Sequence, residues 1–403
     1  MTEKLYEKDS MLRSCTATVT DCQQKDDHYE IILDRTVIFP EGGGQLSDRG
    51  MLNDIPVYYA ADDGEQVRHY TKKPLPVGTP VTVTLNWEVR LDRMQQHCGE
   101  HILSYAFWKT CGANNVGFHM NEDSVFIDLD QEIDEETAKK AELAANACVW
   151  ANEPVRVHFV QDSELGNYPL RKQNDKLRGT IRLVDIQNGD ICTCCGTHPP
   201  FTGMVGSIQI LRFAHHKGGS RIEFLCGKRA LTAMHQRNAL LEQTSNFLSV
   251  KVDDVLTAVE KLHQEIVQLK ETVRNKTIEF LEAQLPKVVT ESPEAGNGTK
   301  VVLLTLEASV QDGKSAMKLL SHTPHILAGV LTKDGNKIMY QFALTDRAVG
   351  DCKLYCQLAA ALYQGRGGGR RESAQGGGSA GADWKERAAL LKQQILQAMD
   401  SPQ

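Results

Sequence analysis

Short runs of alternating or apolar residues fill the first part of the chain. They occupy residues 15–20, 29–34, 36–40, 56–59 and 80–85. Polar turns, an Asp-Gly pair and proline-rich segments separate the runs, which is typical of strands joined by short connections. Short strands at this spacing predict a small β-barrel over residues 1–86.

The hydrophobic period becomes helical after residue 86. Apolar side chains then recur three or four positions apart, at Leu91, Met94, Cys98, Ile102 and Tyr105. This stripe predicts a helix over residues 87–110 with one face in the core. Two histidines, His97 and His101, lie on an adjoining face of the same helix.

Strands and helices alternate in the next segment. We expect a helix over residues 135–151 and strands over residues 124–129, 155–160, 181–185, 206–211 and 221–225. Together with the helix over residues 87–110, these elements predict an α/β domain that spans residues 87–230.

Residues 231–286 are rich in helix formers and carry a heptad pattern. Apolar residues repeat every seven positions in two rows: Val255, Leu262 and Leu269, and then Val259, Ile266, Val273 and Phe280. The two rows predict a coiled-coil seam, which Asp253 and Asp254 would begin and Pro286 would end. A helical hairpin and an intermolecular coiled coil fit this short seam equally well.

The last part of the chain, residues 287–403, predicts a small α/β domain. A linker over residues 293–300 precedes apolar strands at residues 301–304, 326–331 and 337–342, and a helix over residues 384–399 closes the domain. Residues 365–378 hold so many glycines that we expect no packed strand there. The predicted fold class is therefore α+β with several domains: a barrel, an α/β domain, a helical coiled segment and a small α/β domain.

Composition limits the kinds of protein that fit. The chain has 403 residues, too many for one ordinary core, so two to four domains are expected. Its formal net charge is -7, so nucleic-acid binding must depend on local basic patches. We find no apolar run of membrane-spanning length and no apolar core of a secretion signal. We therefore expect a cytoplasmic protein whose 11 cysteines are free thiols or metal ligands.

Two short motifs predict a metal site. His97 and His101 stand four residues apart on the predicted helix, so both imidazoles lie on one face. Cys194 and His198 form a second pair around a glycine, where a tight turn can aim both side chains at one point. Three imidazoles and a thiolate match a tetrahedral set for one Zn²⁺ per chain.

The identity of the thiolate and the role of Glu100 are open from the residues alone. Cys192 and Cys195 compete with Cys194 for the thiolate position. Glu100 completes a His-x-x-Glu-His pattern, the inverted zinc-peptidase motif in which the glutamate is the general base. Such a peptidase needs an open fourth position on the metal, and the cysteine and histidine pair would fill it.

Two glycine-rich segments offer backbone for close ligand contacts. Residues 42–44 are three glycines without the lysine and hydroxyl residue of a P-loop, so they form either a hairpin turn or a ligand loop. Residues 365–378 combine glycines with Arg366, Arg370 and Arg371, which could hold phosphates while the backbone comes near. A flexible linker is the alternative for this second segment.

In this order the motifs resemble those of the alanyl-tRNA synthetase editing region. Residues 36–50 are similar to its glycine-loop motif, and residues 87–103 to its His-x-x-x-His helix. Residues 194–198 are similar to its Cys-Gly-Gly-Thr-His motif, with Cys195 in place of the first glycine. Residues 368–378 are similar to the glycine-rich motif of the C-terminal domain that the synthetase shares with DHH-type phosphoesterases. With no room for an aminoacylation domain, the chain resembles a free-standing editing protein of the long form.

The resemblance implies an aminoacyl-tRNA deacylase. Its substrate would be tRNA(Ala) mischarged chiefly with serine, with glycine as the second candidate. A pocket for alanine rejects either of these amino acids poorly, so a second site has to clear the errors. The family pattern assigns the Zn²⁺ ligands to His97, His101, Cys194 and His198.

Roles for individual residues follow from the motifs and the resemblance. The predicted catalytic residues are His97, His101, Glu100 and Gln45. The predicted substrate-binding residues are Thr36, Gly42, Gly43, Gly44 and Gln45. Thr36 and Gln45 are the candidates for a hydrogen bond to the serine hydroxyl, because they lie close to the glycine loop in sequence. The predicted RNA-binding residues are Arg366, Gly368, Gly369, Arg370 and Arg371.

The expected partner is tRNA(Ala), with no membrane, and a homodimer through the helical segment or the C-terminal domain is a candidate assembly. Two other functions remain alternatives. One is a zinc peptidase that uses Glu100, and the other is a non-catalytic RNA-binding module with a structural zinc.

Overall fold

The computed structural model describes residues 1–171 and 178–400. The chain divides into two compact units, Met1–Thr244 and Ser245–Gln403, which are described separately here. The fold is α+β, as the sequence predicts, and it begins with a closed barrel. The predicted domain boundaries divide the chain more finely than these two units and stay predictions.

A six-stranded barrel forms the start of the first unit. The elements of this region are β1 (Glu3–Lys4), α1 (Leu5–Lys8), β2 (Ser14–Gln24), β3 (Tyr29–Leu33), β4 (Arg35–Thr36), β5 (Gly50–Leu52), β6 (Ile55–Asp62), β7 (Val67–Thr71) and β8 (Pro80–Leu85). β1 and β4 pair with each other outside the barrel. The barrel closes in the order β2-β3-β7-β6-β5-β8. Along β8, exposed and buried residues alternate strictly, so the hydrophobic pattern decides which face points inward.

The helix that carries the histidine pair follows the barrel directly. α2 (Trp87–Cys111) begins at Asn86, whose side chain accepts a hydrogen bond from the N–H of Val89. It ends at Gly112, which adopts a left-handed φ of 77°. Both ends therefore have the usual caps of a helix, and the predicted helix over residues 87–110 is confirmed.

Two sheets complete the first unit. The elements are β9 (Asn115–Met120), β10 (Val125–Leu129), α3 (Glu135–Ala151), β11 (Val155–Gln161), β12 (Thr180–Ile186), β13 (Ile191–Thr193), β14 (Ile208–His216), β15 (Gly219–Cys226) and α4 (Gly227–Leu248). One sheet has the order β14-β15-β10-β9, and the other has the order β11-β12-β13. α2 and α3 pack on the four-stranded sheet around Phe107, Ala141 and Phe224, which are fully buried.

The second unit contains a long helix and a five-stranded sheet. Its elements are α5 (Val255–Glu291), β16 (Lys300–Glu307), α6 (Val310–Leu320), β17 (Ile326–Asp334), β18 (Lys337–Leu344), α7 (Cys352–Leu362), β19 (Arg366–Gly369), β20 (Ser373–Ser379) and α8 (Trp384–Asp400). The sheet has the order β16-β17-β18-β20-β19. Successive residues of β17 belong to two different core clusters, one with α6 and one with α7 and α8. A strand buried on both faces explains why this segment is apolar throughout.

The prediction that Pro286 ends the long helix is wrong. α5 continues through Pro286 as far as Glu291. Proline removes one backbone hydrogen bond from a helix, but the turns around it carry Leu281, Leu285 and Val288, which pack into one of the two core clusters. Burial of these side chains offsets the lost bond.

The expectation of no packed strand in residues 365–378 is also wrong. β19 and β20 pair with each other, and β20 pairs with β18. A Cβ at Gly376 would lie 2.3 Å from the Tyr340 ring, and one at Gly367 would lie 2.5 Å from the Cys356 sulfur. The glycines are therefore required because the strands lie close against larger side chains.

The heptad seam of α5 is exposed along most of its length. The exposed fractions are 46% for Val259, 44% for Leu262, 50% for Ile266, 63% for Leu269, 62% for Val273 and 65% for Phe280. The described residues do not cover this face, and the dimer interface stays a prediction. None of the helices in the described part of the chain is long and apolar enough to cross a membrane.

Candidate metal centre

The two histidines of α2 converge as their spacing predicts. The Nε2 atoms of His97 and His101 lie 3.2 Å apart, and both side chains are buried. Helical geometry accounts for this pair without any long-range contact.

The segment after β13 brings the second pair of donors to the same point. Cys194 Sγ lies 3.0 Å from His97 Nε2 and 3.4 Å from His198 Nε2. Three Nε2 atoms and one Sγ thus form a group whose members all lie within 4.8 Å of one another. Zinc bonds of about 2.0–2.3 Å place tetrahedral ligands roughly 3.3–3.8 Å apart, so these residues fit a metal of that size.

Burial sets the protonation of the donors. It lowers the pKa of His97 to about 3 and that of His101 to about 4, and it holds the pKa of His198 well below its usual range. The three imidazoles are therefore neutral at neutral pH, with lone pairs available. Burial raises the pKa of Cys194 to about 12, so this thiol needs a cation beside it to ionise.

Hydrogen bonds to the backbone hold the segment from Cys194 to His198, which we call the metal loop. Arg182 Nη1 donates to the carbonyl oxygens of Cys194 and Gly196, at 2.7 and 3.0 Å. Ser10 Oγ donates to the carbonyl oxygen of His198. A Cβ at Gly196 would lie 2.7 Å from His97 Nε2, so only glycine fits there without moving the histidine.

Gln45 joins the glycine loop to the metal loop. Its Nε2 donates to Thr197 Oγ1 at 2.8 Å, and its Oε1 accepts from the Thr197 N–H at 3.0 Å. Gln45 is fully buried, and so is Thr36, whose hydroxyl lies 2.8 Å from His69 Nε2. Neither residue lines the cleft described below, and their proposed contact with a serine hydroxyl stays a prediction.

The three glycines of residues 42–44 form a tight turn. Gly42 and Gln45 exchange two backbone hydrogen bonds of 3.0 Å each, and Gly43 and Gly44 have φ angles of 60° and 80°. Two successive left-handed residues define a type I′ turn, which favours glycine at both positions. Gly43 lines the cleft, so the segment is both a hairpin turn and part of the site wall.

A cleft of about 750 Å³ opens above the four donors. Its wall is made by the Asn115–Phe118 stretch of β9, residues 180–182 of β12, residues 192–195, and Gly43. Arg171, Arg178 and Arg182 also line it. The cleft therefore combines a potential metal at its floor with guanidinium groups along its wall.

Glu100 lies beside the four donors and also lines the cleft. Its Oε1 accepts hydrogen bonds from Ser104 Oγ at 2.7 Å and from Asn115 Nδ2 at 2.6 Å, while its Oε2 is 3.7 Å from His101 Nε2. Burial raises the pKa of Glu100. This carboxyl group is thus fixed in orientation and close to the metal position.

Sequence reasoning missed the groups that support the site. Ser104 lies one helical turn after Glu100, and Asn115 and Arg182 bond to site residues 12–15 positions away, but none of the three belongs to a motif. The resemblance did not assign Arg182 either, although a charged residue inside the apolar run of residues 181–184 is a signal that could have found it.

The predicted RNA-binding residues lie in the second unit. Arg366, Gly368 and Gly369 belong to β19, and Arg370 and Arg371 lie in the turn that follows. All five residues are exposed, and Arg371 Nε donates to a backbone carbonyl oxygen, that of residue 350, at 3.1 Å. They form one exposed basic edge of the sheet, whose contact with RNA stays a prediction.

Comparisons with known proteins point to one family. The family model described as "Threonyl and Alanyl tRNA synthetase second additional domain" matches residues 181–223. The chain is 32% identical over 289 residues to the alanyl-tRNA editing protein AlaX-L of Pyrococcus horikoshii, a match that covers 68% of this chain and 72% of the relative. It is 29% identical over 310 residues to the alanyl-tRNA editing protein Aarsd1 of Bos taurus, covering 72% of this chain and 69% of the relative.

A longer relative and a solved structure are also similar. Alanine--tRNA ligase of Pyrococcus furiosus is 27% identical over 389 residues, which is 93% of this chain and 42% of the ligase. The crystal structure of the C-Ala domain from Aquifex aeolicus alanyl-tRNA synthetase matches at 21% identity and a TM-score of 0.23, covering 26% of this chain and 97% of that domain.

Proposed function

This chain belongs to the family of alanyl-tRNA editing proteins, and from that premise we propose that it hydrolyses the ester bond of mischarged tRNA(Ala). We propose seryl-tRNA(Ala) as the main substrate and glycyl-tRNA(Ala) as the second. The observation that carries the proposal is the convergence of three Nε2 atoms and one Sγ atom at the floor of an arginine-lined cleft.

We propose that the four donors bind one zinc ion. His97, His101, Cys194 and His198 would hold it, and when bound it would supply a positive charge that places the aminoacyl-adenosine end of the tRNA. Four protein donors complete a tetrahedral set. An inverted zinc peptidase needs an open position on its metal, so this geometry favours editing over that alternative.

Glu100 is our candidate for handling the attacking water. Its Oε1 is held by Ser104 and Asn115, so its Oε2 has a fixed direction toward the metal position. A carboxylate with a raised pKa accepts a proton more readily. The water oxygen would bond to the ester carbon while its proton passes to Glu100. The bond between that carbon and the ribose oxygen would then break, and Glu100 would return the proton to the leaving ribose oxygen.

For Gln45 we propose a positioning role. Both the Nε2 and the Oε1 atom of its amide bond to Thr197. Gln45 would therefore fix the position of the glycine loop relative to the metal loop. The cleft arginines would attract the phosphates of the acceptor end. In the second unit, Arg366, Arg370 and Arg371 are our candidates for a second contact with the tRNA.

The test is incubation of the full chain with seryl-, glycyl- and alanyl-tRNA(Ala), with and without a metal chelator. We expect fast release of serine, slower release of glycine, little release of alanine, and loss of activity after metal removal. Tight tRNA binding without release of any amino acid would select the non-catalytic RNA-binding module instead. Cleavage of a peptide substrate would select the peptidase.

A further inference from the structure

Cys192 contacts His101 on the side of the imidazole ring that faces away from His97. Its Sγ lies 2.9 Å from Nδ1 of His101, while Nε2 of the same ring faces His97. The two nitrogens of one imidazole point in opposite directions, so Cys192 is outside the group of four donors although it is only two residues from Cys194.

His101 differs in this respect from the other two histidines. The Nδ1 atoms of His97 and His198 are buried without a hydrogen-bond partner in the described structure. A metal-bound imidazole normally donates its second N–H to a partner, which fixes the ring and its tautomer. Among the three histidines, only His101 has such a partner within the described residues, and that partner is a thiol.

A second metal ion is a competing explanation for this region. His101, Cys192 and Asp190 offer ligand atoms within 4.8 Å of one another. However, Arg171 occupies both oxygens of Asp190, with Nε 3.1 Å from Oδ1 and Nη2 3.0 Å from Oδ2. A carboxylate bonded at both oxygens to a guanidinium is already neutralised, so this group does not favour a cation.

We propose that Cys192 is a positioning residue for the metal centre. Its sulfur accepts a hydrogen bond from the Nδ1–H of His101, and this bond selects the tautomer that leaves Nε2 free for the metal. The proposal rests on metal binding by the four donors, but it does not depend on the identity of the substrate.

Metal affinity of the full chain tests this role directly. In a competition with a chromophoric chelator, Cys192→Ala should bind zinc about 10- to 100-fold more weakly than the unaltered protein, the usual effect of losing an outer partner. Cys192→Asp supplies a carboxylate acceptor and should recover most of the affinity. Cys22→Ala, a half-buried cysteine of the barrel, is the matched control and should bind zinc normally.

The cobalt-substituted protein separates a positioning residue from a ligand. Cys192→Ala should keep the thiolate-to-cobalt charge-transfer band, and Cys194→Ala should lose it. The opposite pattern would make Cys192 the ligand and overturn the proposal, as would unchanged zinc affinity in Cys192→Ala. If the alanine variant does not fold, Cys192→Ser and Cys192→Asp give the same comparison. Absence of metal binding in the unaltered chain would refute this role, whereas failure to hydrolyse aminoacyl-tRNA would refute only the proposed function.

Discussion

The two glycine-rich segments of this chain use the same residue for different reasons. In the first unit, Gly43 and Gly44 adopt left-handed angles that close a tight turn beside the cleft. In the second unit, Gly367 and Gly376 lie in paired strands without such angles, and a side chain there would collide with Cys356 or Tyr340. The first segment needs the conformational freedom of glycine, and the second needs its small size.

The two units also differ in the kind of surface that they present. The first unit gathers buried side chains whose positions are fixed by contacts between distant segments, as with Gln45 and Thr197. The second unit presents an exposed edge of backbone and arginines. Substitutions should therefore act on chemistry in the first unit, and on stability or RNA affinity in the second.

Removal of a metal donor should have the largest effect. His101→Ala deletes one of four donors, so we expect loss of bound zinc and loss of seryl-tRNA(Ala) hydrolysis to the background rate. Elemental analysis and a deacylation assay measure both. His322→Ala, an exposed histidine of the second unit, is the control and should behave normally. Hydrolysis at the unaltered rate by metal-free His101→Ala would remove the metal from the reaction.

A side chain added to the hairpin of β19 and β20 should destabilise the second unit and leave zinc binding unchanged. At Gly376, a Cβ would lie 2.3 Å from the Tyr340 ring and 2.6 Å from the Arg366 carbonyl oxygen. Gly376→Ala should therefore lower the free energy of unfolding by about 3 kcal/mol, the upper end for overpacking.

Gly368→Ala is the matched control for this variant, because nothing lies within 4 Å of its Cβ position. Chemical unfolding measures both variants, and zinc content should be unchanged in each. An equal loss of stability in the two variants would show that close packing is not the reason for the glycines in this hairpin.

A side chain in the glycine turn should have a smaller effect on stability and a clear effect on turnover. Gly44→Ala forces a left-handed residue, at a cost of about 1–2 kcal/mol, and its Cβ would lie 2.5 Å from Phe118, which lines the cleft. We expect a lower kcat for seryl-tRNA(Ala), measured against Gly42→Ala, whose Cβ position is open. Equal kcat values for the two variants would show that the conformation of this turn does not affect catalysis.

Loss of the exposed arginines should have the smallest effect. The double variant Arg366→Ala with Arg370→Ala should weaken tRNA(Ala) binding and reduce the slope of affinity against salt by roughly 1–2. Filter binding at several salt concentrations measures this, with Arg347→Ala as an exposed control outside the hairpin. An unchanged salt slope would place the RNA contact elsewhere.

Local patterns in the sequence were sufficient for most of the fold. The pattern located β2, β3, β6 and β8, and helical spacing located α2. It missed β5 and β7, and the strand predicted over residues 36–40 is wrong, because β4 ends at Thr36. The prediction failed where packing overrides local preference. α5 passes through Pro286 because Leu281, Leu285 and Val288 on one side of its last turns pack into a core cluster. β20 is a strand because small residues fit against Tyr340. α6 and α7 were not predicted.

The residues of the candidate site also fall into those that local sequence spacing predicts and those that only packing brings together. The sequence by itself determined the pairs His97 with His101 and Cys194 with His198, because each pair is only four residues apart and local geometry sets its direction. Only the tertiary structure showed the contact of Cys194 with His97 and the place of Cys192 behind His101, since these contacts span more than ninety residues. Side chains on different elements meet according to how the elements pack, and spacing along the chain carries no such information.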